Sequence, residues 1–300
     1  MSAPRDPEEL GTTTEPVHPQ IADEATVGAV HLTVGDLERS LDYYRTQIGL
    51  AVLEHGEGEA SLGAGSRELL HLVEQPGAQA PGHSTGLYHF ALLVPERTDL
   101  AAWLAHAARD RVGMTGMSDH FVSEALYLRD PDHHGIEIYW DRPREQWEGQ
   151  VFERMTTLPL DVDSILNELG DPALAPFDGL PDGTVMGHLH LKVADVEATI
   201  RFYRDVLGFG LMAQLGPMAA FLAAGGYHHH LGANTWESAG ASPPPEGAAA
   251  LRHGTIALPD GAERDRVVGR LERAGADVAE LGGEPLVRDP SGNALVLALA

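Results

Sequence analysis

An internal repeat constrains the fold of this chain more than any other feature of the sequence. The segment VHLTVGDLERSLDYYRTQIGL, which starts at Val30, matches LHLKVADVEATIRFYRDVLGF, which starts at Leu189. Further along, LRDP at Leu128 matches VRDP at Val287 with the same offset. A chain that repeats itself in this way folds as copies of one structural unit. We therefore expect two domains of similar design, residues 27–145 and 186–300, joined by a linker over residues 146–185.

Each half divides again into two modules. The apolar residues of VHLTV alternate with His31 and Thr33, as in a half-buried strand. Asp36 is placed to cap a helix with one apolar stripe, and Gly49 is placed to end it. Three short strands follow before the pattern restarts at LYHFALLV. The sequence thus predicts an α+β fold of four βαβββ modules, paired into two half-barrel domains, with a short helix in the linker near residues 160–169.

Composition excludes several classes of function. The formal net charge of −25 leaves no basic stripe that could neutralise nucleic acid phosphates. The absence of cysteine excludes disulfides, thiolate metal ligands and thiol nucleophiles. No apolar run approaches the roughly 18 residues of a membrane span, so we expect no membrane contact. Residues 1–26 lack the plan of a signal peptide, and we expect them to form a flexible tail on a cytoplasmic protein.

Four segments carry a resemblance to a known family: HLTVGDLERSLDYY, TGLYHFALLVP, SEALYLRDPD followed by GIEIYW, and GGYHHHLGANTW. They resemble the vicinal oxygen chelate superfamily, which includes glyoxalases, bleomycin resistance proteins and extradiol dioxygenases. The length of four modules is similar to that of catechol 2,3-dioxygenases. The resemblance covers residues 27–145 and 185–300 and implies a metal-dependent extradiol ring-cleaving dioxygenase. Its expected partners are a catechol-like aromatic diol and dioxygen.

The resemblance implies three metal ligands, namely His31, His89 and Glu137. Strand alternation supports this set, because Glu137 lies between Ile136 and Ile138 and should point away from the helix-packed face. Two imidazoles and one carboxylate form the facial triad that suits non-haem Fe(II). We therefore expect Fe(II) as the cofactor, with Mn(II) or Zn(II) as alternatives.

Three further residues are candidates for catalysis. Tyr127 precedes Glu137 by ten positions, an offset at which extradiol dioxygenases have a tyrosine close to the substrate; the alternative role is aromatic packing. His120 resembles a histidine just outside the ligand set that could move a proton; the alternative is a solvated loop histidine. His71 occupies the position of an additional ligand in the glyoxalase I branch. We expect His71 to line the active site, and an acid–base role or a fourth ligand position stays open.

The second half departs from the pattern. His190 and His253 align with the two histidine ligands of the first half, but Val296 stands where Glu137 does. The metal is therefore expected in the N-terminal half.

A run of three histidines, residues 228–230, offers another site. Strand alternation would place His228 and His230 on one face, close to His190 and His253. Such an all-histidine cluster could hold zinc or copper, or it could have a structural role only.

Two other functions remain open at this point. One is a metal-dependent isomerase or lyase of the glyoxalase type, which a fourth protein ligand would favour. The other is a non-catalytic binding or resistance protein for an aromatic small molecule, which would not need an intact triad. Either function, like the dioxygenase, is compatible with a homo-oligomer.

Overall fold

The computed structural model describes residues 19–300, and the βαβββ pattern occurs four times in it. The first module comprises β1 (Thr26–Val34), α1 (Leu37–Tyr43) with a π-helical turn (Tyr44–Ile48), β2 (Ala51–His55), β3 (Glu59–Ala64) and β4 (Arg67–Glu74). The second comprises β5 (Gly86–Leu93), α2 (Arg97–Asp110), β6 (Gly116–Asp119), β7 (Ser123–Arg129) and β8 (Gly135–Asp141). These two modules and the two described next confirm the predicted α+β fold of four modules.

The linker carries two short helices, α3 (Val151–Arg154) and α4 (Val162–Leu166), and 3-10 turns at Arg144–Gln146, Asn167–Leu169 and Pro172–Leu174. The third module comprises β9 (Val185–Lys192), α5 (Val196–Ile200) with a π-helical turn (Arg201–Leu207), β10 (Gly210–Leu215), β11 (Ala219–Ala223) and β12 (Leu231–Asn234). The fourth comprises β13 (Leu251–Leu258), α6 (Gly261–Arg273), β14 (Val278–Leu281), β15 (Glu284–Arg288) and β16 (Ala294–Leu299).

The first helix of each half begins and ends at the residues that the sequence indicated. The Asp36 carboxylate accepts a hydrogen bond from the Arg39 backbone N–H at 2.9 Å, and Asp195 caps α5 in the same way. Gly49 and Gly208 end the two helical segments with φ of 91° and 96°. A residue with a side chain would be strained in this left-handed conformation, so glycine fixes the point at which each chain turns into the next strand.

The modules are paired differently from the sequence prediction. One eight-stranded sheet has the order β14-β15-β16-β13-β1-β4-β3-β2, and the other has the order β10-β11-β12-β9-β5-β8-β7-β6. The first sheet therefore joins modules one and four, and the second joins modules two and three. We had expected each sheet to lie within one half of the sequence. The repeat marks where every module begins, but it carries no signal about which two first strands meet edge to edge.

The linker packs against the second sheet. Asp119 and Leu158 exchange two backbone hydrogen bonds of 2.9 and 2.8 Å, so the linker extends the sheet beyond β6. Ile165 of α4 is fully buried, and α4 with the turn after it occupies the region where the sequence predicted a short helix. Segment 155–158 is thereby held beside the concave face of the second sheet.

Residues 19–25, which the sequence assigned to the predicted tail, belong to the folded part of the chain. Residues 1–18 lie outside the described part of the chain, but Ile21 is buried and its N–H donates to the Gly208 carbonyl at 2.9 Å. The Ala22 N–H donates to the Glu263 carboxylate at 2.9 Å. Residues 19–25 are thus packed against modules three and four. Between residues 19 and 300, no helix has both the length and the apolar character needed to cross a membrane.

Candidate active site

Three ligand-type side chains converge on the concave face of the second sheet. Glu137 Oε2 lies 3.0 Å from His89 Nε2 and 3.0 Å from His188 Nε2, and the two Nε2 atoms lie 3.2 Å apart. All three residues are buried. Among residues 19–300, they form the only group of three histidine, cysteine or acidic residues whose ligand atoms lie within 4.8 Å of one another.

The spacing of these atoms fits one divalent transition-metal ion. Neighbouring ligand atoms of one divalent ion lie about 3 Å apart when each is about 2.1 Å from the ion. The observed separations of 3.0, 3.0 and 3.2 Å are of this size. Two imidazoles and one carboxylate are the donor set of the facial triad that suits non-haem Fe(II). The donor set therefore fits Fe(II) or Mn(II) well.

The local sequence explains how the three ligands meet. Ala91 is the neighbour of Glu137 on one side in the sheet and of His188 on the other, and His89 lies two residues before it on the same face. The small Ala91 side chain leaves the space between them open. Burial alone would raise the pKa of the Glu137 carboxyl, but the charges and hydrogen bonds of His188 and His89 outweigh it and hold that pKa well below its usual range. Glu137 is therefore a carboxylate, as a ligand must be.

Tyr127 and His120 form a hydrogen-bonded pair beside the three ligands. The Tyr127 oxygen lies 2.7 Å from His120 Nε2, and His120 Nδ1 lies 2.8 Å from the Thr156 carbonyl oxygen. A carbonyl can only accept, so His120 Nδ1 donates to it, and the Tyr127 hydroxyl is within hydrogen-bond reach of both His120 Nε2 and the Glu137 carboxylate. Burial, with the charge of Glu137 as the next cause, raises the pKa of Tyr127 well above its usual range. Thr156 belongs to the linker, which therefore helps to orient His120.

A second hydrogen-bonded network, formed by Asp141, His228 and His229, packs against the ring of His188. The ring of His229 lies 4.1 Å from that of His188, centroid to centroid. His228 Nε2 donates to the Asp141 carboxylate at 2.8 Å, and His228 Nδ1 lies 2.9 Å from His229 Nδ1. Asp141 also accepts from the Tyr227 hydroxyl at 2.7 Å. The carboxylate thus determines the orientation of both histidines, and His188 is held by packing against them.

The cavity above the three ligands has a volume of about 610 Å³. Modules two and three both line it, and so does the linker. Its polar lining includes the three ligands, the Tyr127–His120 pair, His190 and His229. Its apolar lining includes Leu128, Met155, Ala213, Leu215, Phe221 and Trp236. A volume of this size lies within the range of small-molecule binding sites.

The structure does not bring His31 or His71 to this cavity, and this corrects the predicted site. Both residues lie in the other sheet, where His31 pairs with His71 on one side and with His253 on the other. Their rings are stacked, with centroids 4.7 and 4.0 Å apart. Stacked rings point their nitrogens in similar directions and do not converge on one ion. His71 instead lies 3.1 Å from the Glu68 carboxylate.

This stack should make the protein sensitive to acid. Burial, with His253 and His71 as further causes, lowers the pKa of His31 from 6.5 to about 3. The stability that depends on neutral His31 is fully present above pH 6.5 and is lost as the pH falls towards the folded-state pKa, because the unfolded chain binds the proton more readily. We expect wild-type protein to lose about 1 kcal/mol more unfolding free energy than His31→Phe between about pH 6.5 and pH 5, after a discount for partial exposure. Urea unfolding at each pH measures this difference, and parallel curves would contradict it.

The four remaining predicted histidines do not form one cluster. His190 lines the cavity and lies 3.0 Å from the Asn234 amide nitrogen, whereas His253 belongs to the other sheet. His228 bonds to Asp141, and His230 Nδ1 accepts from the Ala224 N–H at 3.1 Å. Residues 227–230 form an irregular segment before β12, so the assumed strand alternation does not apply to them. His229, which the prediction left out, is the member of this run that lines the cavity.

His188 is the residue that sequence reasoning missed. It lies in the segment GHLHLKV, in which two histidines two residues apart share one face of the strand. Alignment of HLKV with HLTV directed attention to His190, and His188 has no counterpart in the first half. The alternation in HLHL was the available signal. It could be used only with the knowledge that β9 pairs with β5.

Comparison with known proteins places this geometry in context. A family model described as the glyoxalase/bleomycin resistance protein/dioxygenase superfamily matches residues 26–138 and again residues 185–297. The chain is 42% identical over 284 residues to a Bacillus subtilis (strain 168) protein named catechol-2,3-dioxygenase. The aligned region covers 92% of this chain and 98% of that protein.

Two solved structures share the fold. One is a Bacillus subtilis protein provisionally described as a dioxygenase, with a TM-score of 0.61, 16% identity and coverage of 91% of this chain and 85% of that chain. The other is glyoxalase I from Zea mays, with a TM-score of 0.55, 17% identity and coverage of 92% of each chain. At these identities the structural matches show the fold alone.

Proposed function

Because the chain belongs to the glyoxalase/bleomycin resistance protein/dioxygenase superfamily, we propose that it is a metal-dependent extradiol dioxygenase that cleaves the ring of a catechol-like substrate. The observation that carries this proposal is the convergence of His89, Glu137 and His188 beneath a cavity that also holds the Tyr127–His120 pair. The name of the relative with 42% identity agrees with this reaction.

The number of ligands favours this activity over that of a glyoxalase. A fourth carboxylate or histidine ligand would leave less of the ion open to small molecules. His71, the predicted candidate for that role, lies in the other sheet. His89, Glu137 and His188 alone would hold the ion and leave it open to substrate. We propose Fe(II) as the native ion, with Mn(II) as the alternative; Zn(II) fits the ligand types but has no accessible redox chemistry. When bound, Fe(II) supplies electron exchange between the catechol and dioxygen.

The first task of the protein's own side chains is to accept a proton from a catechol hydroxyl. The lone pairs of the Tyr127 oxygen can accept the hydrogen of a catechol hydroxyl while the Tyr127 proton passes to His120 Nε2. His120 is then positively charged, with its Nδ1–H still held by the Thr156 carbonyl. Reversal of the same steps returns the proton to the ring-opened product. The pair therefore stores one proton close to the reacting oxygen atoms.

The cavity walls perform two further tasks. The ligands have little contact with solvent, since His89, Glu137 and His188 are at most 6% exposed. A site from which water is excluded strengthens every charge interaction within it. The Asp141–His228–His229 network keeps the ring of His188 in place, so that substrate oxygens meet a preorganised site.

Loading the protein with Fe(II) under anaerobic conditions tests the proposal. On admission of air, the loaded protein should consume one dioxygen per catechol and form a yellow ring-opened product. Zinc-loaded protein should show no such uptake, because zinc cannot pass electrons between substrate and oxygen. An oxygen electrode and an absorbance spectrum record both quantities. Isomerisation of a hemithioacetal without oxygen uptake would instead assign the protein to the glyoxalase class.

A further inference from the structure

The cavity is several times larger than a catechol ring requires. An apolar cavity of about 150 Å³ is sufficient to bind benzene. The cavity above His89 and Glu137 measures about 610 Å³. A catechol held at the three ligands would therefore leave most of the volume for a substituent on its ring.

The charges around the cavity argue against an anionic substituent. Among the described residues, Arg129 is the only lysine or arginine that lines the cavity. Its Nη1 donates to the His133 carbonyl at 3.0 Å, and its Nη2 lies 4.0 Å from the Glu237 carboxylate. A buried carboxylate needs a cationic partner, and the lining offers Arg129 alone, which already donates to a carbonyl and lies beside a carboxylate. The net charge of −25 further disfavours the approach of an anion.

Apolar side chains, in contrast, are exposed at the cavity. Leu215 and Trp236 line it while 49% and 48% exposed, and Phe221 of β11 also belongs to the lining. The described residues include eight exposed large hydrophobics: Met117, Phe152, Leu158, Leu215, Met218, Trp236, Leu281 and Leu299. Two of them, Leu215 and Trp236, belong to the lining. Exposed apolar side chains on the wall of a cavity indicate that a ligand covers them.

We propose that the substrates are catechols with an uncharged apolar substituent, and that Leu215, Phe221 and Trp236 form the subsite for that substituent. This inference rests on the proposed ring-cleaving function and narrows it to a substrate class. The catechol oxygens point to the three ligands, and the substituent extends along the apolar wall towards the mouth. Each methylene that becomes buried there strengthens binding about four-fold.

Comparison of three substrates tests the inference: catechol, 4-butylcatechol and 3,4-dihydroxyphenylacetate. With Fe(II)-loaded protein we expect kcat/KM for 4-butylcatechol to be about 10-fold or more above that for catechol, and kcat/KM for the carboxylated compound to be about 10-fold or more below it. Calorimetric titration of zinc-loaded protein should give the same order of affinities without turnover.

Leu215→Arg adds a cation to the apolar wall and should reverse the preference. It should lower kcat/KM for 4-butylcatechol and raise that for 3,4-dihydroxyphenylacetate, each about 10-fold. Leu281→Arg is the matched control, because Leu281 is 44% exposed on β14, the edge strand of the other sheet, as Leu215 is on the edge strand β10. The control should keep the wild-type preference.

The outcomes separate the inference from the function on which it rests. Turnover of all three catechols at similar kcat/KM, unchanged by Leu215→Arg, would overturn the inference and leave the dioxygenase intact. Absence of oxygen uptake with every catechol would overturn the proposed function. In that case the zinc-loaded titration still decides the subsite: tighter binding of 4-butylcatechol that Leu215→Arg reverses supports it, and equal binding overturns it.

Discussion

His188→Ala should leave the protein without its metal. We propose this imidazole as one of three protein ligands, and its Nε2 lies 3.0 Å from Glu137 Oε2. Loss of a residue that merely supports a ligand typically weakens metal affinity 10- to 100-fold, so loss of a ligand should cost about 100-fold or more. Metal per chain, measured by elemental analysis after dialysis against a weak chelator, should fall from near one to near zero. Oxygen uptake with catechol should be lost with it.

His31→Ala is the matched control for that experiment. His31 is also a strand histidine, and the sequence alone placed it among the ligands, but it lies in the other sheet, stacked on His253. Its replacement should leave the metal content near one per chain. If metal survives in His188→Ala and disappears in His31→Ala, the site assembled by modules two and three is not the metal centre.

The contrast between His31 and His188 shows how far the sequence could predict this protein. Repeat and alternation were sufficient for the four modules, because local patterns determine the strands and the helix caps. Strand alternation was also sufficient to predict that His89 and Glu137 point to the same face. Both residues lie in one module, on the strands β5 and β8, which pair with each other. The third ligand depends on which other module lies alongside β5. That pairing is a long-range property, and no local pattern in the sequence reports it.

The loop residues show a second limit. Tyr127 could be placed by its offset from Glu137, because both lie on neighbouring strands of one hairpin. His120 lies just beyond a strand end, and its orientation depends on the carbonyl of Thr156, far along the chain in the linker. No local pattern of the sequence predicts that a linker residue lies beside the cavity. Contacts between a connector and a site arise from the path of the chain, which becomes visible only once the sheets are assembled.

Tyr127→Phe should slow turnover strongly while the metal stays bound. The change removes only the hydroxyl that lies 2.7 Å from His120 Nε2 and keeps the ring and its packing. Loss of one preorganised hydrogen-bonding group near the reacting atoms costs about 2–4 kcal/mol in the barrier. This corresponds to a fall in kcat of roughly 30- to 1,000-fold. The measurement is oxygen uptake by iron-reconstituted protein at saturating catechol, with metal content determined on the same sample.

His120→Gln provides the companion variant for Tyr127. If the two side chains act as one proton path, the double variant should be about as slow as the slower single variant, because a broken path cannot be broken twice. Additive losses would show that the tyrosine and the histidine act separately. Unchanged kcat in Tyr127→Phe, with full metal content, would reduce the pair to part of the cavity wall. The proposed dioxygenase would then depend on the three ligands and the positioning of the substrate alone. The proton of the catechol hydroxyl would have to leave through another group of the lining, which also holds His190 and His229.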